Sequence, residues 1–262
     1  MSRVRLGAVG YLNARPLVHG LEGRGELFDV RFDVPSRCAA LLHAGESDLG
    51  LIPSIEYLRG PEPYRIVPDL GIVSDGPVAS VALFARVPIS KIRTIGLDDS
   101  SRASAGLTRV LCRELWRIDP AFEAMGAEKA AAVEGCDAAL VIGDPALFLD
   151  HAASRLEKID LGSEWTRATG LPFVWAFWAG RPGALDAPRV AALQHARDRG
   201  VASSDAIADA YCGPERSELC RTYLRENIRY WLGGRETDGL RRYFELASKH
   251  GLVEFDGRLE FY

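Results

Sequence analysis

Short apolar runs alternate with helical segments through the first part of the chain, and this alternation most constrains the fold. Residues 4–10 are typical of a buried strand, and residues 13–16 of a helix start, because Asn and Pro are favoured in a helix's first turn. The pattern then predicts a strand over residues 28–34, a helix over 36–44 and a strand over 48–52. Strands that alternate with helices in this way predict a mostly parallel sheet flanked by helices.

A second unit of the same kind follows two extended runs at residues 72–73 and 78–86. Residues 173–179 predict the return of the chain to the first unit, and residues 186–250 are helical in pattern almost throughout. The predicted elements of the second unit are a strand over 94–97, a helix over 103–116, a strand over 138–142, a helix over 145–151 and a strand over 156–159.

The order of these elements predicts a two-lobed α/β chain. The first lobe comprises residues 1–88 and 177–262, and the second lobe, residues 89–176, interrupts it. A chain of 262 residues is long enough for two lobes that each bury a core. Two lobes joined by two chain crossings predict a ligand cleft between them.

The balance of charge argues against a nucleic-acid partner. The chain has 32 Lys and Arg residues against 36 Asp and Glu residues, for a net charge of −4, whereas phosphate binding needs a surplus of clustered basic groups. No apolar run is long enough to span a membrane, and the run near the N-terminus is too short for an export signal. We expect a cytoplasmic protein with a small-molecule partner and no membrane association; the sequence predicts no oligomeric state.

The sequence carries no signature of a metal or nucleotide site. The five cysteines are odd in number and show no CxxC spacing, which argues against a disulfide framework or a thiolate metal site and favours a reducing compartment. The five histidines lie far apart along the chain. The phosphate-loop, HExxH, GxSxG and strand-linked GxGxxG motifs are missing. We therefore predict no metal and no cofactor.

Polar residues stand where predicted strands pass into helices, which is where open α/β sheets bind ligands. Each of them could instead cap its helix, although Asn is scarce in this chain, which favours a functional role for the one at the first junction. Ser80 lies in an extended run where Val or Ile is favoured, and is either functional or on an exposed edge. The junction residues are Tyr11, Asn13 and Arg15 at the first junction, Ser54 at the second, and Ser101, Arg102 and Ser104 at the third.

Four segments occur in the order GYLNARPL at residues 10–17, ASVALF at 79–84, IGDPAL at 142–147 and TGLPFVWA at 169–176. Together they resemble the chorismate dehydratases of the futalosine route to menaquinone, over essentially the whole chain. The resemblance implies the type II periplasmic-binding-protein fold, in which two α/β lobes surround a cleft. The chain departs from the pattern at Ala103, where a small hydroxyl residue is expected.

The resemblance implies removal of water from chorismate to give 3-[(1-carboxyvinyl)oxy]benzoate. No cofactor is needed, because the product ring is aromatic. Asn13 and Ser80 are implied as the catalytic residues; both are poor proton acceptors, so the enolpyruvyl carboxylate of the substrate is the expected base. Asp144 is a competing base, but its place before Pro145 also suits a helix cap. The implied substrate-binding residues are Tyr11, Arg15, Ser54, Ser101, Arg102, Ser104, Gly143, Asp144, Thr169, Gly170, Leu171 and Pro172.

Two other functions stay open from the sequence. A solute-binding protein of the same fold would bind a small anion without chemistry, and the missing export signal counts against it. The related 1,4-dihydroxy-6-naphthoate synthase would be expected to carry a catalytic histidine in its cleft. None of the five histidines lies in the four segments that carry the resemblance.

Overall fold

A computed structural model describes residues 3–98 and 102–262 of the chain. Its strands, in chain order, are β1 Val4–Val9, β2 Phe28–Asp33, β3 Leu49–Pro53, β4 Arg65–Ile66, β5 Ile72–Ser74, β6 Val81–Ala85, β7 Thr94–Asp98, β8 Ala121–Met125, β9 Ala138–Ile142, β10 Glu157–Asp160 and β11 Phe173–Gly180. Its α-helices are α1 Arg15–Val18, α2 Pro35–His43, α3 Arg102–Leu111, α4 Ala127–Ala132, α5 Gly143–Phe148, α6 Leu161–Thr169, α7 Ala187–Ala202, α8 Ser204–Cys212, α9 Ser217–Thr222 and α10 Gly234–Lys249. Single 3₁₀ turns occur at Leu12–Ala14, Ser54–Leu58 and Ile89–Lys91, and π-helical turns at Cys112–Trp116 and Tyr223–Asn227.

The strands form two sheets, which confirms the predicted two-lobed α/β fold. One sheet has the order β2-β1-β3-β11-β4, with β5 also paired to β11, and the other has the order β10-β6-β9-β7-β8. The C-terminal helices pack on the first lobe, where α7 lies against α1. None of the helices in the described ranges is long and apolar enough to cross a membrane.

The expectation of mostly parallel sheets is wrong for the strands that cross between the lobes. β1 is parallel to β2 and β3, and β7 is parallel to β8 and β9. However, β11 runs antiparallel to β3, β4 and β5, and β6 runs antiparallel to β9 and β10. Each crossing strand enters its sheet from the other lobe, so it runs opposite to strands that arrive through a local helix.

Hydrogen bonding also assigns the crossing strands to sheets. β6 pairs with β9 and β10 of the second sheet, although the sequence-based boundary at residue 88 puts it in the first lobe. The whole of β11 pairs with strands of the first sheet, although the second boundary, at residue 176, divides it. We propose that the lobes meet at residues 75–80 and 170–172, between the last strand of one sheet and the first of the other.

All eight residues of β11, FVWAFWAG, are buried, as a strand covered on both faces requires. The Phe173 ring packs against Trp165 and Tyr243, with centroid distances of 5.3 and 4.8 Å. The Tyr243 hydroxyl donates to the carbonyl oxygen of Ala103 at 2.9 Å. A Cβ on Gly106 would lie 2.3 Å from the Tyr243 hydroxyl oxygen, so only glycine permits this approach of α3 to α10. The start of α3 is thereby fixed against the first lobe.

The cysteines form one disulfide, whereas the sequence argued only against a disulfide framework. Cys212 and Cys220 are bonded to each other, with their Cα atoms 6.7 Å apart. The turn that begins at Gly213 brings the end of α8 to α9, a proximity that sequence spacing alone does not indicate. Cys38, Cys112 and Cys136 are buried free thiols.

Candidate active site

A cleft with a cavity volume of about 60 Å³ lies between the two sheets. The first lobe lines it with residues at or after the ends of β1, β2 and β3 and with residues of β5 and β11. The second lobe lines it with the starts of β6 and α3 and with the end of β9. The carboxyl ends of parallel strands meet at one edge of a sheet, which is where such sheets bind ligands. The lining residues are Val9, Tyr11, Asn13, Pro35, Pro53, Ile72, Val78, Val81, Ala103, Ser104, Ile142, Gly143, Trp175 and Ala176.

The described lining is apolar with a few polar groups, and none of its residues carries a charge at neutral pH. Ser104 lies in the first turn of α3 and is 4% exposed. The N-terminal end of this ten-residue helix faces the cleft, and such an end favours anions because its free N–H groups carry partial positive charge. The Trp175 indole is held in place by donating from Nε1 to Ser74 Oγ at 3.0 Å.

Gly143 lines the cleft directly after the end of β9. Its φ is +65°, in the left-handed region that favours glycine, and a Cβ there would lie 3.1 Å from the Tyr11 ring. Its N–H donates to the carbonyl oxygen of Ser80 at 2.7 Å. The glycine therefore lets β9, β6 and the Tyr11 loop meet at one point.

Asn13 and Ser80 come together through a third residue, Tyr223. The Tyr223 hydroxyl donates to Ser80 Oγ at 2.6 Å. Complete burial raises the pKa of Tyr223, and the nearby side chains of Ser80 and Asn13 lower it by a smaller amount. The tyrosine therefore keeps its proton at neutral pH. Asn13 lines the cleft, whereas Ser80 is 1% exposed between the lining residues Val78 and Val81.

Asp144 does not line the cleft. Its Oδ1 accepts a hydrogen bond from the Leu12 N–H at 3.4 Å, and its Oδ2 accepts one from the Tyr211 hydroxyl. The N-cap position of α5 is Ile142, so Asp144 is not the predicted cap and lies inside the first turn. The carboxylate instead joins the second lobe to two segments of the first.

The two arginines among the predicted residues also lie outside the cleft lining. The Arg15 guanidinium carbon is 5.0 Å from the Phe32 ring centroid and 5.3 Å from that of Tyr211. Arg102 Nη1 donates to Glu56 Oε2 at 2.7 Å. Arg102 is thus held by a buried carboxylate, and Arg15 is stacked between rings.

Comparison with known proteins places the chain in a family. The model of the menaquinone biosynthesis family matches residues 4–249. A chorismate dehydratase of Thermus thermophilus is 31% identical over 264 residues, which cover 92% of this chain and 93% of that relative. The chain belongs to the menaquinone biosynthesis family. This confirms the family resemblance inferred from the four segments.

Solved structures show the same fold at low sequence identity. A protein of Archaeoglobus fulgidus superposes with a TM-score of 0.77 at 18% identity, covering 96% of this chain and 98% of its own. The alkanesulfonate-binding protein of Xanthomonas axonopodis pv. citri, bound to MOPS, gives a TM-score of 0.69 at 16% identity, with 97% and 95% covered. At these identities the likeness shows the fold alone, which is the periplasmic-binding-protein-like arrangement of two lobes.

Two junction serines remain, Ser54 and Ser101. Ser54 opens the 3₁₀ turn after β3 and is completely buried. Its Oγ has no hydrogen-bond partner among the described residues, and its neighbour Pro53, not Ser54, lines the cleft. Ser101 lies outside the described residues.

The segment Thr169 to Pro172, quoted for the family resemblance, shapes the chain crossing and does not line the cleft. Thr169 Oγ1 donates to the Trp165 carbonyl at 2.8 Å and accepts from the Leu171 N–H at 3.2 Å. Gly170 ends α6 with a φ of +71°. The Pro172 carbonyl accepts from Trp165 Nε1 at 3.1 Å. These contacts set the direction of β11, and β11 brings Trp175 and Ala176 to the cleft.

Sequence reasoning missed Tyr223 and Trp175. Tyr223 lies in a helical region with no motif, more than 140 positions from Ser80, so no local pattern signals their contact. Trp175 is part of the quoted TGLPFVWA segment but was interpreted only as part of a crossing strand. In the described ranges no group of three or more His, Cys, Asp or Glu side chains is placed to hold a metal ion.

Proposed function

We propose that this member of the menaquinone biosynthesis family is a chorismate dehydratase that converts chorismate to 3-[(1-carboxyvinyl)oxy]benzoate and water. The observation that carries the proposal is that Asn13 lines an apolar interlobe cleft with Ser80 buried beside it, in a chain 31% identical to a chorismate dehydratase over 92% of its length. We propose that it is a carbon–oxygen lyase of this pathway and that it acts in the cytoplasm.

The reaction is an elimination that needs no outside oxidant or reductant. The C–H bond at the ether-bearing ring carbon breaks, and its electron pair forms the last double bond of the aromatic ring. The C–O bond to the neighbouring hydroxyl breaks, and the proton removed from carbon leaves with that hydroxyl as water. Because the product is aromatic, the driving force resides in the substrate, and the protein has only to lower the barrier.

The residues at the cleft suit a donor role better than a base role. The Asn13 amide does not accept a proton at neutral pH, and the Ser80 hydroxyl is a poor proton acceptor. The Asp144 carboxylate is engaged by Leu12 and Tyr211 and lies outside the cleft lining. The base in our proposal is therefore the enolpyruvyl carboxylate of chorismate itself, held over the ring proton by the closed lobes.

Two physical effects supply the rate. Holding a reacting group in place can contribute on the order of 7–11 kcal/mol at its upper limit. A hydrogen-bond donor aimed at developing charge contributes about 3–4 kcal/mol more. We assign the first effect to the cleft walls and the second to Ser80, which would donate to the departing hydroxyl. Asn13, whose Oδ1 is buried without a partner in the described structure, would accept from or orient the substrate.

The substrate's carboxylates require positive potential, and the described lining has no charged group. The N-terminal end of α3, with Ser104 in its first turn, supplies partial positive charge and a hydroxyl donor. Such a helix end stabilises an anion by about 0.3–2 kcal/mol. We propose it as the site of one substrate carboxylate.

The test is incubation of the purified protein with chorismate and no added cofactor. Product is followed by absorbance and identified by mass spectrometry, with Ser80→Ala and heat-denatured protein as controls. Formation of the aromatic enol ether by the wild type, much more slowly by Ser80→Ala and not at all by the heat-denatured protein, supports the proposal. Binding of chorismate without turnover would favour a solute-binding protein instead. None of the five histidines is among the described residues that line the cleft, which weighs against the related naphthoate synthase.

A further inference from the structure

Tyr223 lies between the two implied catalytic residues but does not line the cleft. It begins the π-helical turn Tyr223–Asn227 and is 2% exposed, so its hydroxyl has access only to protein groups. A tyrosine hydroxyl has one hydrogen, and here that hydrogen is given to Ser80 Oγ at 2.6 Å. Asn13 lies beside the same hydroxyl and acts to lower the pKa of Tyr223, as a donor would, and the amide nitrogen is the Asn13 atom that can donate.

The hydrogen bond from Tyr223 to Ser80 therefore has a fixed direction, with Asn13 beside the tyrosine hydroxyl. Because Ser80 Oγ accepts from Tyr223, its own hydrogen is not needed for that contact and is free to point elsewhere. Hydrogen bonds arranged in series polarise one another, so a serine that accepts is a better donor. The order of donors leaves Ser80 as the last member, with its hydrogen available to a substrate.

The backbone of Ser80 is already fixed, so the hydroxyl is the part that Tyr223 controls. The Ser80 N–H donates to the Val78 carbonyl at 2.7 Å, and the Ser80 carbonyl accepts from the Gly143 N–H at 2.7 Å. The preceding residue, Ala79, has a φ of +62° and donates its N–H to Asp160 Oδ2 at 2.7 Å. What these contacts leave free is rotation of the serine side chain.

We propose that Tyr223 is a positioning residue of the dehydration, which orients the Ser80 hydroxyl so that its hydrogen is donated to the departing hydroxyl group of the substrate. This inference rests on the proposed function. Tyr223 itself touches no substrate and transfers no proton. Its effect is to hold Asn13 and Ser80, which come from different lobes, in one fixed geometry.

The matched test compares Tyr223→Phe with Tyr230→Phe. Both tyrosines are buried, and the Tyr230 hydroxyl has no hydrogen-bond partner within the described ranges. Removing one intramolecular hydrogen bond is worth about a three- to tenfold change in an equilibrium or rate. We expect kcat to fall by about that factor in Tyr223→Phe, with KM nearly unchanged, and to stay at the wild-type value in Tyr230→Phe. Thermal unfolding of both variants checks that the fold is intact.

A double-mutant cycle separates positioning from a merely structural role. If Tyr223 acts through Ser80, then Ser80→Ala and Ser80→Ala/Tyr223→Phe have the same kcat, because the group being oriented is gone. The double variant also keeps the test usable if Tyr223→Phe alone does not fold, since it leaves no buried Ser80 hydroxyl without its Tyr223 partner.

The outcomes distinguish a failure of this inference from a failure of the proposed function. An active wild type whose Tyr223→Phe variant has unchanged kcat overturns this inference and leaves the proposed function standing. A double variant much slower than Ser80→Ala also overturns it, because Tyr223 would then act without Ser80. A wild type that binds chorismate but forms no product overturns the proposed function and this inference with it.

Discussion

The hydroxyl of Tyr211, at the end of α8 in the first lobe, donates a hydrogen bond to the carboxylate of Asp144, in the first turn of α5 in the second lobe. Tyr211 also stacks on Arg15 and makes a 3.4 Å hydrogen bond to the Gly10 carbonyl. The same carboxylate accepts from Leu12. The hydrogen bond between Tyr211 and Asp144 joins the two lobes beside the cleft. It also engages the Asp144 carboxylate, which was the competing candidate for the base.

Asp144→Asn is expected to keep most of the activity. Leu12 and Tyr211 donate to different oxygens of Asp144. The single amide oxygen of Asn can accept one of these bonds, and the Tyr211 hydroxyl can turn to accept from the amide nitrogen, so the variant loses mainly the charge-assisted part of the two bonds, about 1 kcal/mol each. We expect kcat to fall by less than about tenfold. Steady-state kinetics with chorismate checks this. A loss of about 10⁴-fold or more would mean that Asp144 is the base and would contradict the substrate-as-base mechanism.

Substitutions at the two implied catalytic residues should have larger and distinct effects. Ser80→Ala removes an aimed donor and should lower kcat by about 10²–10³. Asn13→Asp keeps the shape but sets a negative charge beside a dianion. At about 4 Å and an effective dielectric of about 20, this repulsion is on the order of 4 kcal/mol.

Binding should therefore weaken in Asn13→Asp along with turnover, whereas Ser80→Ala should bind chorismate nearly as the wild type does. Titration calorimetry with the product, which is not consumed, measures both affinities. Equal affinities for the two variants would show that Asn13 is not beside the ligand.

Glu56 predicts a specific loss of stability in acid. Its carboxylate is completely buried against His43, Arg59 and Arg102, at 3.1, 3.0 and 2.7 Å. Burial acts to raise the pKa of Glu56, but these hydrogen bonds and the charge of Arg102 together lower it from 4.5 to about 2. Because the folded pKa is the lower one, the stabilisation is fully present above about pH 4.5 and is lost as the pH falls toward 2.

The expected size of this effect is about 3 kcal/mol of unfolding free energy. Urea unfolding at a series of pH values should show it in the wild type, and Glu56→Gln should be less stable at neutral pH and lack the acid-dependent part. Glu114→Gln is the matched control, because Glu114 makes a more exposed pair with Lys249, worth about 0–1 kcal/mol. Equal pH profiles for Glu56→Gln and the wild type would contradict the assignment.

The sequence predicted what local patterns determine. The strand at residues 4–10 and the junction after it placed Asn13 at a sheet edge, because the apolar pattern of a buried strand is local. Asn13 itself caps no helix. Tyr223 could not be predicted, since its contact with Ser80 depends on how the C-terminal helices pack on the first lobe. The Cys212 pairing and the burial of Ser54 depend on tertiary packing in the same way.

Ser104 and Ser54 form a pair that tests which junction binds the substrate carboxylate. From the sequence alone the two serines are equivalent, as both follow a strand and open a helical turn. In the structure Ser104 lines the cleft in the first turn of α3, whereas Ser54 is completely buried behind Pro53. Ser104→Ala should therefore raise KM by about tenfold or more, the value of one hydrogen bond to a charged group, and change kcat less.

Ser54→Ala should leave both constants unchanged. Its Oγ has no partner in the described ranges, so the alanine removes an unpaired buried group and should leave the melting temperature the same or slightly higher. Chorismate kinetics and thermal melts of the two variants measured side by side check both expectations. A raised KM in Ser54→Ala with a normal KM in Ser104→Ala would reverse the assignment and place the carboxylate at the junction after β3 rather than at the start of α3.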